Sequence, residues 1–151
     1  MSARTTAHNI FRETMLLLVR LGIAALMFSH AWYRWQIEGI NGQVARLQEF
    51  HVPAASLVAS GTIAFEGIGG ILLAIGLFTR VLGLLLATEH ILITVLFKWS
   101  AGPYLANDGF EYNVAMALLG VLLLGCGAGL TGADRLLFRR RGGDSGIDPY
   151  Q

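Results

Sequence analysis

The stretch Leu57 to Leu77, LVASGTIAFEGIGGILLAIGL, limits what this chain can become. It is an apolar run long enough to cross a bilayer, with one charge, Glu66, at its midpoint. A carboxylate at that depth costs about 2.5–3.5 kcal/mol on insertion scales. It must therefore face protein or water and have a partner. The glycines around it (Gly61, Gly67, Gly69, Gly70 and Gly76) let neighbouring backbones come close. The expected fold is all-α, an integral membrane bundle with a polar centre.

Composition agrees. Of 151 residues, 54% are hydrophobic and only 14% charged, which fits a single membrane domain and not a soluble one. The lone Cys126 excludes an internal disulfide and any Cys-x-x-Cys pair. Lying in an apolar run, it reads as a small buried hydrophobe. There is no Gly-rich phosphate loop, nucleophile triad or nucleic-acid surface, so nucleic acid is not an expected partner.

Residues 1–11 are polar, lack the apolar core of a signal peptide, and read as a short, partly disordered tail. The first span is expected from about Thr14 to Tyr33, interrupted by Arg20 and His30. Trp32, Tyr33 and Trp35 follow as an interfacial belt. Residues 34–54 are too polar to span. Within them Gly42 to Phe50 reads as a short amphipathic helix at the membrane surface, with Val44, Leu47 and Phe50 on one face. Pro53 suits the first turn of the next helix.

The second span is expected over Ala55–Phe78, a tight turn at Thr79-Arg80, and the third span over Val81–Phe97 with Glu89 and His90 near its middle. Gly102-Pro103 and Asn107-Asp108-Gly109 mark a loop from Lys98 to Phe110. The fourth span, Tyr112–Ala133, carries no charge. Arg135 and the run Arg139–Arg141 follow, and the ending GGDSGIDPYQ reads as disordered. The chain thus divides into a tail (1–11), a four-helix transmembrane domain (12–137) and a basic, then disordered, tail (138–151).

Four spans place both termini on one side. That side holds Arg4, Arg12, Arg80, Arg135 and Arg139–Arg141, against Arg34, Arg46 and Lys98 on the other. The positive-inside rule makes the first side cytoplasmic. The arginine run reads as a stop signal and surface anchor, or as a contact for anionic lipid or a partner.

At about 1.5 Å per residue, Glu66, Glu89 and His90 lie near mid-depth, with Arg20 several Å to the cytoplasmic side. Arg20 is the expected counter-ion for Glu66 or Glu89. Such a centre either fixes helix register or forms a pocket that binds a head group or moves protons. Glu89 and His90 point about 100° apart, so one at most faces a given pocket squarely. His90 is favoured, because an imidazole there can donate to a quinone oxygen or shuttle a proton. A satisfied interhelical hydrogen bond is its alternative role. His30 reads as an interfacial histidine. Glu111 and Asn113 sit at the outer mouth of the fourth span. No Glu-x-x-His pair supports a di-iron site, and His30 and His90 differ in depth, so no metal is expected.

The order of these features resembles the DoxX family of small four-helix membrane proteins. The matching pieces are the arginine in LLLVRLGIAALMFSHAWYRW, the segment VARLQEFHVP, the motif FEGIGGILLAIGLFTRVLGLLLA, and the glycine-rich ending GCGAGLTGAD closed by Asp134. Together they cover about residues 12–137. The ending departs slightly from the family pattern at Thr131-Gly132-Ala133-Asp134. Arg20, Glu66 and Arg80 carry over by position. The resemblance implies a compact bundle in a bacterial inner membrane. It also implies a link to quinol oxidase and thiosulfate:quinone oxidoreductase systems, where family members look like small subunits.

Three readings of function follow. In the first, the chain is a subunit of a quinone-linked redox assembly, with quinone held near Arg20, Glu66, Glu89 and His90 and electrons supplied by a partner. In the second it is a purely structural or assembly subunit of a larger membrane complex. In the third it is a small proton-coupled transporter. Membrane lipid and other membrane subunits are the expected partners, and quinone the expected cofactor.

Overall fold

The computed structural model describes residues 3–135, with side chains from residue 9 onward. The run Arg139–Arg141 and the ending GGDSGIDPYQ lie outside the described residues. All regular structure among the described residues is helical.

Helix α1 spans Ala3–Trp32 and continues through a π-helical turn, Tyr33–Ile37. No glycine or proline occurs before Gly22 to stop it. The helix therefore includes most of residues 1–11, where a partly disordered tail is expected. Helix α2, Gly39–Glu49, is the short amphipathic helix. It buries Leu47 and Val44 against Ala55 and Ala59, with Phe97 closing the cluster. Phe50 meets Phe97 edge to face at 4.8 Å.

Helix α3 spans Ala55–Ile75. Pro53 is not in its first turn: Ala54, left-handed at φ 53°, stands between, and its carbonyl accepts from the amides of Leu57 and Val58. Helix α4, Thr79–Ile93, runs on through a π turn (Thr94–Lys98) and a 3-10 turn (Trp99–Ala101). Thr79-Arg80 is thus the start of α4, and the reversal lies at Gly76–Phe78. Gly76 has φ +73°, and a Cβ there would lie 2.6 Å from Gly132 Cα and 2.7 Å from Arg20 Nη1, so no other residue fits.

Helix α5 spans Glu111–Cys126. It does not reach Ala133 as expected. Its 16 residues rise about 24 Å, short of a hydrocarbon core of about 30 Å. Gly127 turns out of the helix, and the following residues fold over the α3–α4 reversal. There the Ala133 amide donates to the Ile75 carbonyl at 3.1 Å, and the Asp134 amide to Gly76 at 2.9 Å. Three stretches are long and apolar enough to cross a membrane: Asn9–Ile37, Ala55–Ile75 and Thr79–Ala101.

One core gathers Ile23, Ala24 and Met27 of α1, Leu73 of α3, Leu82 and Leu86 of α4, and Met116 and Leu123 of α5. The helices pack mainly as two pairs, α1 on α3 and α4 on α5. In the second pair Gly83 and Gly120 face each other so closely that a Cβ on either would stand 2.7 Å from the other's carbonyl oxygen. In the first, Gly70 lies on Ala24 and Phe28, and Gly67 on Ala31, as the packing role of the GIGG segment requires.

Candidate functional site

That α1–α3 register decides which arginine meets Glu66. Arg20 falls beside Gly76, at the end of α3. Level with Glu66 are the residues just past Ala31, and the π turn there aims Arg34 inward. Its Nη1 lies 2.8 Å from Glu66 Oε1 and 3.8 Å from Glu89 Oε1. The expected pairing of Arg20 with Glu66 or Glu89 is therefore replaced by one guanidinium, Arg34, between two carboxylates from α3 and α4. Extra residues in a helical turn re-aim side chains, a device common at functional sites.

Glu66 is 3% exposed, and only 15–17% of the Glu89 and Arg34 side chains is accessible. Glu66 Oε2, both oxygens of Glu89 and, on the donor side, Arg34 Nη1 are buried without a hydrogen-bond partner among the described residues, three acceptors against one donor. One guanidinium balances one carboxylate, so the centre holds an excess of hydrogen-bond acceptors.

His90 is buried, and Glu89 beside it also faces the centre, so the two share the site. His90 Nδ1 lies 3.1 Å from the Leu86 carbonyl oxygen. With that acceptor, Nδ1 carries the proton and Nε2 is left as an acceptor. Its ring centroid is 6.0 Å from that of Tyr112 on α5. His30 is turned to α5: its Nε2 lies 2.9 Å from the Tyr112 hydroxyl and its ring stacks on Tyr112 at 5.4 Å. The packing brings Arg34, Glu66, Glu89, His90, His30 and Tyr112 from four helices to one level.

Arg20 belongs to a second cluster. Only 2% exposed, it donates from Nη1 to the Ala128 carbonyl at 2.6 Å. Asp134 accepts from the Phe78 amide at 2.6 Å and the Thr79 amide at 3.0 Å, which makes it a cap for α4 supplied from the far end of the chain. Glu13 accepts from the Leu130 amide. Every member of this cluster is tied to backbone at the close of the bundle.

Sequence reasoning missed Arg34 and Tyr112. Arg34 sits inside the Trp32–Trp35 aromatic cluster, where a cation ordinarily reads as a loop charge. On a linear depth scale Arg20 lies nearer the two carboxylates than Arg34 does, so no sequence signal marks Arg34 as their cation.

Fold and site together define a multi-pass membrane protein with a buried ion-pair centre. The DoxX family profile matches residues 15–99, and the chain belongs to that family. It is also 33% identical over 114 residues to the Bacillus subtilis (strain 168) protein named "Putative oxidoreductase CatD", covering 74% of this chain and 78% of that one. No solved structure matches the chain.

Proposed function

We propose that this chain is a small membrane component of a redox assembly, and that its Arg34–Glu66–Glu89 centre contacts the head group of a quinol. The single observation behind this is the excess of buried carboxylate oxygens without a hydrogen bond, Glu66 Oε2 and Glu89 Oε1 and Oε2, over the one unpartnered donor beside them, Arg34 Nη1. A reduced, dihydroxy head group brings two O–H donors, and an oxidised quinone brings none. Family membership and the relative's printed name support the redox setting. When bound, the quinol supplies two electrons, which pass to a redox centre on a partner subunit. The residues of this chain hold the hydroxyls and take up the protons: Glu66 and Glu89 are the acceptors, and Arg34, between them, balances whichever carboxylate is still ionised and is left as the centre's one charge when both are protonated, until they release the protons.

The bundle has four membrane helices, α1, α3, α4 and α5, with both termini on the cytoplasmic face of a bacterial inner membrane. Arg34, drawn inside, no longer counts as a loop charge. The other face then keeps Arg46, paired with Glu38 at 3.1 Å, and Lys98, paired with Asp108 at 2.5 Å. The charge bias toward cytoplasmic termini is stronger for it.

The test is titration of the purified protein in detergent with a short-chain quinol and its quinone, followed by tryptophan fluorescence. Quinol should bind more tightly, and Glu66→Gln or Glu89→Gln should weaken it about ten-fold or more, as a charged hydrogen bond is worth about 1.5–3 kcal/mol. Absence of binding, or equal binding by both variants with native helicity, refutes the reading. A second reading, a purely structural lock within a larger complex, draws on the 2.8 Å pair at a nearly inaccessible Glu66. It requires that replacing Arg34, Glu66 and Glu89 together by neutral residues leave partner activity intact.

A further inference from the structure

The end of the molecule where α3 reverses into α4 carries an open cleft of about 470 Å³, away from the ion-pair centre. Phe78, Arg80, Val81, Cys126, Asp134 and Arg135 line it. Arg80 lies over Gly127, its Nε 3.1 Å from where a Cβ would stand. Among the described residues neither Arg80 nor Arg135 has a carboxylate partner. The one acid in the cleft, Asp134, has both oxygens engaged by backbone amides. Behind the wall, Arg20 is fully buried with its Nε unpartnered. Two guanidiniums, Arg80 and Arg135, therefore line the cleft with one carboxylate whose oxygens are occupied, while Arg20 and Glu13 behind the wall are each held by backbone.

Beside these cations the apolar side chains of Phe78 and Val81 are 47% and 54% exposed. They flank the start of the apolar stretch Thr79–Ala101. A cationic pocket beside an apolar shelf, at the end of a membrane helix, matches a phosphate that carries acyl chains. The planar fork of arginine suits phosphate oxygens. We propose that this cleft is a binding site for the phosphate group of an anionic phospholipid, with Arg80 and Arg135 as its ligands and Phe78 and Val81 against the acyl chains. The site is independent of the quinol reading.

The test is native mass spectrometry of the full chain in detergent, titrated with phosphatidylglycerol, with phosphatidylcholine of the same chains, and with inorganic phosphate. Phosphatidylglycerol should be retained at least ten-fold better than phosphatidylcholine. Each arginine contributes about five-fold at a membrane surface, so Arg80→Gln with Arg135→Gln should remove the preference. The matching pair of lysine variants should restore most of it, and Arg46→Gln, at the other end, should leave it unchanged. The glutamine pair retains Arg139–Arg141, so its loss of binding belongs to the cleft. If that pair melts early, the single variants give the same reading at about five-fold each. Equal retention of the two lipids, or undiminished phosphatidylglycerol binding by the folded glutamine variants, overturns the site. Phosphate bound as tightly as the lipid, and displacing it, overturns phospholipid as the occupant.

Discussion

Replacement of Arg34 by methionine tests the assignment on which the centre depends. At an effective dielectric of about 20, the 2.8 Å contact with Glu66 corresponds to a gross attraction of about 6 kcal/mol, and the 3.8 Å contact with Glu89 to about 4 kcal/mol. Desolvation and the repulsion between the carboxylates offset much of this. The net cost of stranding a buried partner is about 3–5 kcal/mol. Arg34→Met should therefore cost about that much in equilibrium unfolding in mixed detergent micelles. Glu66→Gln should cost less, because Glu89 remains for Arg34. Adding Glu66→Gln and Glu89→Gln to Arg34→Met should return much of the loss, since no unpaired charge is then buried. The cycle between positions 34 and 66 should give a coupling of about 1–3 kcal/mol. A coupling near zero there, or a comparable coupling between Arg20 and Glu66, refutes the register argument that brings Arg34 to the centre.

Two further outcomes are expected in the same unfolding assay. Asp134→Ala leaves the Phe78 and Thr79 amides unpaired and should cost about 1–3 kcal/mol as a lost cap and a lost charge at the start of α4. Asp134→Asn should cost less, and full stability of the alanine variant would sink the capping role. Gly120→Val drives a side chain into the Ala87 amide and the Gly83 carbonyl, each 2.7 Å from its Cβ. Backbone atoms cannot swing aside, so a loss of about 1–3 kcal/mol or more is expected. Gly125→Val, where a Cβ meets nothing within 4 Å, should cost far less, and equal losses would rule out the close α4–α5 crossing.

Much of the fold was legible because apolar periodicity and run length report directly on membrane helices. The spans near α1, α3 and α4 follow from Leu57–Leu77 and its neighbours, and α2 from Val44 and Leu47. The errors have a common source. Run length alone cannot tell a helix from an apolar segment that folds back, so the fourth run was read to Ala133 although its helix stops at Cys126. Nor can a linear depth scale see the π turn at Tyr33–Ile37, which carries Arg34 inward. Glu66, Glu89 and His90 were legible as a centre because ionisable groups stand out in apolar runs. Their counter-ion was not, because pairing depends on the crossing of α1 and α3.

The two arginine clusters differ in a way that bears on what each is for. At the α3–α4 reversal the charged groups meet backbone: Arg20 the Ala128 carbonyl, Asp134 the first amides of α4, Glu13 the Leu130 amide. Such contacts hold chain segments together, and a stable bundle is explanation enough for them. At the Arg34 centre three buried carboxylate oxygens make no hydrogen bond, against one such donor on Arg34, and a chain selected for stability alone does better with glutamine or an apolar side chain at position 89. The second carboxylate adds repulsion to Glu66 and demands more of Arg34. Its presence makes sense if something that carries protons, or hydroxyl donors, completes the site. Glu89 is therefore the residue that separates a chemical centre from a structural one. Glu89→Gln should raise stability or leave it unchanged, and it should also weaken quinol binding. A variant that is both destabilised and unaltered in binding would return the centre to a structural role.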